Sequence, residues 1–279
     1  MSYLQALLLG ILQGFTEFLP VSSSGHLVLF QEILGLGNAV ALKAFDIAVH
    51  FGTLLAILIY FRQDFIDLFK ALYCWTARVP MKTDESEKWL KESKTMIVIL
   101  LAGTVPAVLA GLLWGDWIDR TFLSPVPVCV MLLLVSLVFL GAEYVYKKAR
   151  HGKNIGLLNG VLIGCAQAVA LIPGVSRSGA TISAGLALGI EREKAARFSF
   201  ILGAIAMVAA TALAVLKVLK GEYSLPPLDI LVLGIASSWA AGWLAISFLI
   251  NYLKKHTLAI FAYYRIILVV FFLAWFYLR

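Results

Sequence analysis

Gly10–His26 reads GILQGFTEFLPVSSSGH, and Gly164–Ala180 reads GCAQAVALIPGVSRSGA. Gly10, Gln13, Ser22, Ser24 and Gly25 return 154 positions later as Gly164, Gln167, Ser176, Ser178 and Gly179. Each copy is an apolar run, a proline, a serine-rich turn and a second apolar run. The copies differ where chemistry would differ. Glu17 and His26 face Leu171 and Ala180 in the second copy, and Arg177 stands where the first has Ser23. A repeated backbone with divided chemical labour predicts one composite site drawn from both copies.

The repeat also decides how the chain meets its surroundings. Residues 2–35 and 156–190 each hold two apolar runs of about 12 to 17 residues, shorter than the roughly 20 needed to span a bilayer core. Pro20 and Pro173 stop the helix between the runs. Backbone broken at membrane depth is tolerated only inside protein or against a wet cavity. A re-entrant pair of half-helices satisfies that condition; a single kinked span is the alternative.

The remaining composition fits a membrane. The chain has 279 residues, 61% hydrophobic and 14% charged, with mean hydropathy +0.92. A water-soluble domain carries about 25% charge, so the class is an all-α polytopic membrane protein. The net charge of +7 is then read by location rather than as a nucleic-acid signal, and no nucleic-acid partner is expected. Cys74, Cys129 and Cys165 are isolated and predict neither disulfides nor zinc; they are expected as small core residues. No cleavable signal is expected, because a basic leader is missing before Glu17 and Pro20.

Six spans are predicted at about 42–62, 94–114, 125–146, 194–217, 227–252 and 257–278. Gln63–Arg78 is expected to lie along the membrane surface, with loops at Met81–Lys94 and Lys147–Asn154. One hairpin plus three spans per repeat makes residues 1–146 and 156–279 inverted copies in a single membrane domain. Such copies bring two broken helices together near the midplane. Most Lys and Arg then fall on one face, from Arg62 through Lys94, Lys147–Lys153, Arg192–Arg197 and Lys254–Lys255. Lys43, Arg120, Lys217, Lys220 and Arg279 remain on the other. The asymmetry predicts a cytoplasmic basic face and outward termini.

Glu17 sits among apolar neighbours, and such an acid faces a partner or a water-filled cavity. Ser22, Ser23, Ser24 and His26 follow it. Arg177, flanked by Ser176 and Ser178 with Thr181 a turn later, needs an anion, either Glu17 itself or a bound phosphate. Phosphate suits the planar guanidinium fork and the amides of half-helices starting near Ser24 and Ser178, with Gly25 and Gly179 allowing close approach.

QGFTEFLPVSSSGH and PGVSRSGATIS (Pro173–Ser183) resemble the two signatures of the undecaprenyl-diphosphatase family, the bacitracin-resistance type. The resemblance extends through the length, the charge layout and the pair Tyr264–Arg265, so it covers essentially the whole chain. It implies a membrane enzyme that removes the terminal phosphate of undecaprenyl diphosphate, recycling a lipid carrier of cell-wall synthesis on the outer side of the bacterial cytoplasmic membrane. Bacitracin would compete by binding the diphosphate lipid. The resemblance further implies a divalent cation, Mg²⁺ or Ca²⁺. Glu17 is then expected to bind it, with Gln13, one helical turn earlier, as a second ligand. Many relatives carry Glu where this chain has Gln13, so one formal charge is missing from the site.

Ser23 and His26 are three residues apart, which allows a serine nucleophile with a histidine base. Direct attack by water, with His26 or Glu17 as base, is the competing reading. Arg177, with Ser176 and Thr181, would hold phosphate and stabilise charge on it; Ser22, Ser24, Gly25, Ser178 and Gly179 complete the binding set. His50 is expected as a core or cavity-lining residue, Arg265 at the interface or inside the bundle, and His151 and His256 in solvent. The rival function is a transporter of polyprenyl phosphate or another anion, since crossed broken helices are a transporter architecture. A lateral opening for the lipid tail is expected, and a homo-oligomer is left open.

Overall fold

The computed structural model describes residues 1–36, 39–148, 151–221 and 225–278; the side chains of residues 39–41 and 43 also lie outside the description. Arg150, Arg279 and the Lys43 side chain, counted in the charge layout, are therefore outside it. Among the described residues the order is α1 (Tyr3–Phe18), α2 (Ser23–Ile33), α3 (Ala39–Tyr60), α4 (Arg62–Thr76), α5 (Asp84–Phe122), α6 (Pro125–Lys148), α7 (Leu157–Val169), α8 (Arg177–Ala187), α9 (Arg192–Leu219), α10 (Leu228–Leu253) and α11 (Ala259–Leu278).

Both repeated stretches are helix–turn–helix hairpins of short helices. The Ser2 hydroxyl caps α1 by accepting from the Gln5 amide, and Leu19 turns extended just before Pro20 ends it. The two second half-helices start alike. Ser22 caps α2 at φ 76, ψ 95 and accepts from the Gly25 amide; Ser176 caps α8 at φ 77, ψ 110 and accepts from Gly179. Positive φ in a non-glycine residue costs about 1–3 kcal/mol and persists only where surrounding structure enforces it. The same strained cap therefore recurs at both tips.

The helices α5, α6, α9, α10 and α11 are long and apolar enough to cross a membrane, and α3 with α4 makes a sixth if the bent pair is one span. That pair turns by 77° between α3 and α4. Apolar side chains cover the outside as well as the core, Leu113 being 67% exposed, as lipid rather than water requires. The chain is a multi-pass membrane protein.

Two expectations need correction. The charged stretch Met81–Lys94 is not a loop beyond its first residues, because α5 begins at Asp84. Thr83 and Ser86 form a reciprocal cap, and Asp84, Glu85 and Glu87 occupy the first turn, where the helix dipole favours acids. Pro106 lies within this helix without ending it. Of the cysteines only Cys129 is buried, Cys74 is half-buried and Cys165 exposed.

Each hairpin packs most extensively on a helix of the other half, α1 on α10 and α7 on α5. Glycine permits both crossings. A Cβ on Gly14 would stand 2.6 Å from the Ser238 carbonyl oxygen, and one on Gly164 would collide with the Gly103 carbonyl. At the basic end, Arg192 Nη2 donates to Glu143 at 2.6 Å, the Leu258 amide to the same carboxylate at 2.8 Å, and Arg197 Nη2 to Asp64 at 2.5 Å. These bonds tie α4, α6, α9 and the start of α11 together.

Candidate active site at the hairpin tips

The two hairpin tips meet at one carboxylate. Glu17, near the end of α1, is buried, and its oxygens serve different partners. Oε1 accepts from Arg177 Nη2 at 2.8 Å; Oε2 accepts from Ser23 Oγ at 2.7 Å and from Gln13 Nε2 at 3.0 Å. Glu17 is thus the anion that Arg177 was expected to need. The guanidinium also donates to the Ser199 carbonyl at 3.3 Å and rests against Met207 Sδ at 3.7 Å. It lies across Gly203, where a Cβ would collide with it. That space on α9 carries no signal in the repeated motif.

His26 is not Ser23's partner. Its ring is fully buried, with Nδ1 2.8 Å from the Ser22 carbonyl and Nε2 2.9 Å from the Tyr264 hydroxyl. It stacks parallel to Tyr264, ring centroids 5.7 Å apart. A spacing of three residues put both on α2 but left the ring free to turn toward α11, where Tyr264 offers a hydroxyl. The acid beside Ser23 is Glu17. The histidine nearest the site is His50 on α3, whose Nε2 is 3.7 Å from Glu17 Oε2 and whose Nδ1 is 2.7 Å from the Asp46 carbonyl.

The serines and glycines of the two turns largely build the tips themselves. Ser22 and Ser176 are occupied as caps. Ser178 Oγ donates to the Leu19 carbonyl at 3.4 Å, joining one tip to the other. Thr181 turns away from the crossing: fully buried, it pairs with Ser199 at 2.5 Å and donates to the Arg177 carbonyl at 2.7 Å. Its expected grip on phosphate is instead a grip on the backbone that carries Arg177. Gly25 and Gly179 are packed tightly, the latter against the Phe139 ring.

Arg265 lies inside the bundle, fully buried. It donates to the carbonyls of Gly174 (2.7 Å), Val175 (3.1 Å), Leu132 (3.2 Å) and Met131 (3.4 Å). Adjacent residues of α11 therefore hold the two tips, Tyr264 the first and Arg265 the second. His151 and His256 are exposed, each stacked on a tyrosine.

Two spaces flank the first hairpin. A cavity of about 390 Å³ is lined by Ser24, Gln31, Asp46, His50, Asp119 and Met207, among others, of which His50 lies 3.7 Å from Glu17 and Met207 against Arg177. An apolar groove of about 700 Å³ runs along the other side of α1, past Phe15, Phe248, Phe261 and Tyr264.

The family described as bacitracin resistance protein BacA matches residues 6–271. The chain belongs to the BacA family. Among its relatives, a protein of Rubrobacter xylanophilus named undecaprenyl-diphosphatase is 43% identical over 94% of each chain. Proteins of the same name from Thermodesulfovibrio yellowstonii (41% identity, 98% of this chain and 97% of the relative) and Chloroherpeton thalassium (42%, 98% and 96%) are similar throughout. Both hairpin tips fall within the matched region of the BacA family.

Proposed function

We propose that this chain hydrolyses undecaprenyl diphosphate to undecaprenyl phosphate and inorganic phosphate, at a site formed where the two hairpin tips meet. The observation that carries the reading is the single carboxylate of Glu17, bonded on one oxygen to a nucleophile-class hydroxyl and on the other to a phosphate-binding guanidinium. The names carried by the relatives supply the substrate.

In this mechanism Ser23 Oγ attacks the terminal phosphorus while its proton passes to Glu17, 2.7 Å away. The bond from that phosphorus to the bridging oxygen breaks, and undecaprenyl phosphate leaves. Water then cleaves the phosphoserine and releases phosphate. Arg177 stabilises charge on the transferred group, as a positioned cation does in phosphoryl transfer. Gly203 keeps the guanidinium's place open.

A divalent cation fits these residues. Gln13 Oε1 is buried without a hydrogen-bond partner, and half a turn of the amide, whose nitrogen now donates to Glu17, would bring that oxygen beside the carboxylate. Among the described residues no three His, Cys, Asp or Glu gather as an ion site, so the ion would draw its remaining oxygens from substrate, as Mg²⁺ commonly does. Glu17 and Gln13 would hold it, and it would neutralise diphosphate charge.

The inverted pairing of residues 1–146 with 156–279, and an active site opening outward from the cytoplasmic membrane, belong to the same proposal. The reciprocal hairpin packing and the Lys and Arg asymmetry support them. The test is phosphate release from undecaprenyl diphosphate by purified protein in detergent, with and without EDTA. Chelator-sensitive release is expected; tight lipid binding without release, metal supplied, would favour a transport site.

A further inference from the structure

We propose that His50 is a third protein ligand of the divalent cation, beside Glu17 and Gln13, and that it tilts the site toward ions that accept nitrogen. The inference rests on the diphosphatase reading for the presence of a cation, and on separate geometry for the ligand.

The first observation is the orientation of the ring. Nδ1 lies 2.7 Å from the Asp46 carbonyl oxygen, which can only accept, so Nδ1 carries a hydrogen and the neutral ring offers its lone pair at Nε2. A metal-binding histidine is normally fixed in this way, by giving its other ring N–H to a carbonyl or carboxylate. The second is the distance of 3.7 Å from Nε2 to Glu17 Oε2. That is too long for a hydrogen bond. Two donors each about 2.1 Å from one ion stand roughly 3.0–3.6 Å apart at angles of about 90–120°, so a small shift of either side chain admits a shared ion.

The third observation is the amide of Gln13. Its nitrogen points to the same Glu17 oxygen at 3.0 Å, while its oxygen is buried without a partner. Turning the amide by half a revolution exchanges the two atoms at little steric cost and aims the oxygen at the same place. Gln13 and Glu17 are one turn apart on α1, and His50 reaches in from α3. The imidazole is 36% exposed and lines the cavity between α2, α3 and α9, so ion and diphosphate approach from its side.

Ligand chemistry gives the consequence. Carboxylate and amide oxygens suit Mg²⁺, Ca²⁺ and Mn²⁺, whereas affinity for sites with nitrogen donors rises along the transition-metal series that Mn²⁺ begins. With His50 in the shell, Mn²⁺ gains a nitrogen donor that Ca²⁺ hardly uses. If His50 only lines the cavity, no nitrogen enters the shell.

The experiment loads purified protein in detergent with Mn²⁺ alone and records electron spin echo modulation from nitrogen, for wild type and His50→Gln. Mn²⁺ and Ca²⁺ affinities are titrated on both, with monodisperse elution as the check on folding. The expected result is nitrogen coupling in wild type that disappears in His50→Gln. Mn²⁺ affinity should fall about 10-fold or more and Ca²⁺ affinity by less than about 3-fold. No Mn²⁺ binding, no coupling in wild type, coupling that survives the substitution, or equal loss for both ions would overturn the assignment. Phosphate release is measured on the same wild-type preparation. Release without nitrogen coupling sinks the ligand and keeps the diphosphatase; coupling without release does the reverse.

Discussion

At the residue scale the protein turns on Glu17 and Arg177, two opposite charges held 2.8 Å apart inside the bundle. Removing one partner of a buried pair strands the other, at a cost of about 3–5 kcal/mol. Glu17→Ala is therefore expected to lower the thermal unfolding temperature in detergent, and Glu17→Ala/Arg177→Ala to be no less stable than Glu17→Ala. Strictly additive losses would show that the pair is not coupled. Both residues were legible in the sequence, because a lone acid and a lone arginine in apolar segments each demand a partner. The partner of His26 was not legible: Tyr264 lies 238 positions away, and no spacing rule reaches that far. His50 was legible only as a histidine on an apolar helix, since its nearness to Glu17 depends on how α3 packs beside α1.

At the scale of elements, the repeat unit is the hairpin with its strained serine cap, and it is held by glycine contacts with the opposite half. The break at Pro20 and Pro173 follows from local chemistry and could be read directly, whereas the caps at Ser22 and Ser176 were not, the half-helices being expected to begin near Ser24 and Ser178. The length of α5 could not, because its first turns are charged and look like a loop until the Thr83–Ser86 cap is recognised. The glycine contacts make their own prediction. Gly164→Ile forces a branched side chain into the Gly103 backbone and should destabilise by at least about 1–3 kcal/mol. Gly141→Ile, with nothing within 4 Å of its Cβ position, should not. Comparing their unfolding temperatures checks whether α5 and α7 depend on that approach; equal behaviour would refute it.

At the scale of the whole molecule, each half supplies what the other lacks: an acid and a hydroxyl from the first, a guanidinium from the second. The charge layout predicts which way this assembly sits. In a background lacking Cys74, Cys129 and Cys165, a cysteine replacing Lys153 should react with impermeant reagent only from the cytoplasmic side, and one replacing Lys220 only from outside. The opposite pattern would invert the proposed orientation. The composite site itself is tested most directly by phosphate release from undecaprenyl diphosphate, comparing wild type with Glu17→Gln from one half and Arg177→Ala from the other. The account predicts that each substitution alone lowers release by about 100-fold or more in protein that remains folded. Near-wild-type release from either variant would contradict a site shared between the two halves.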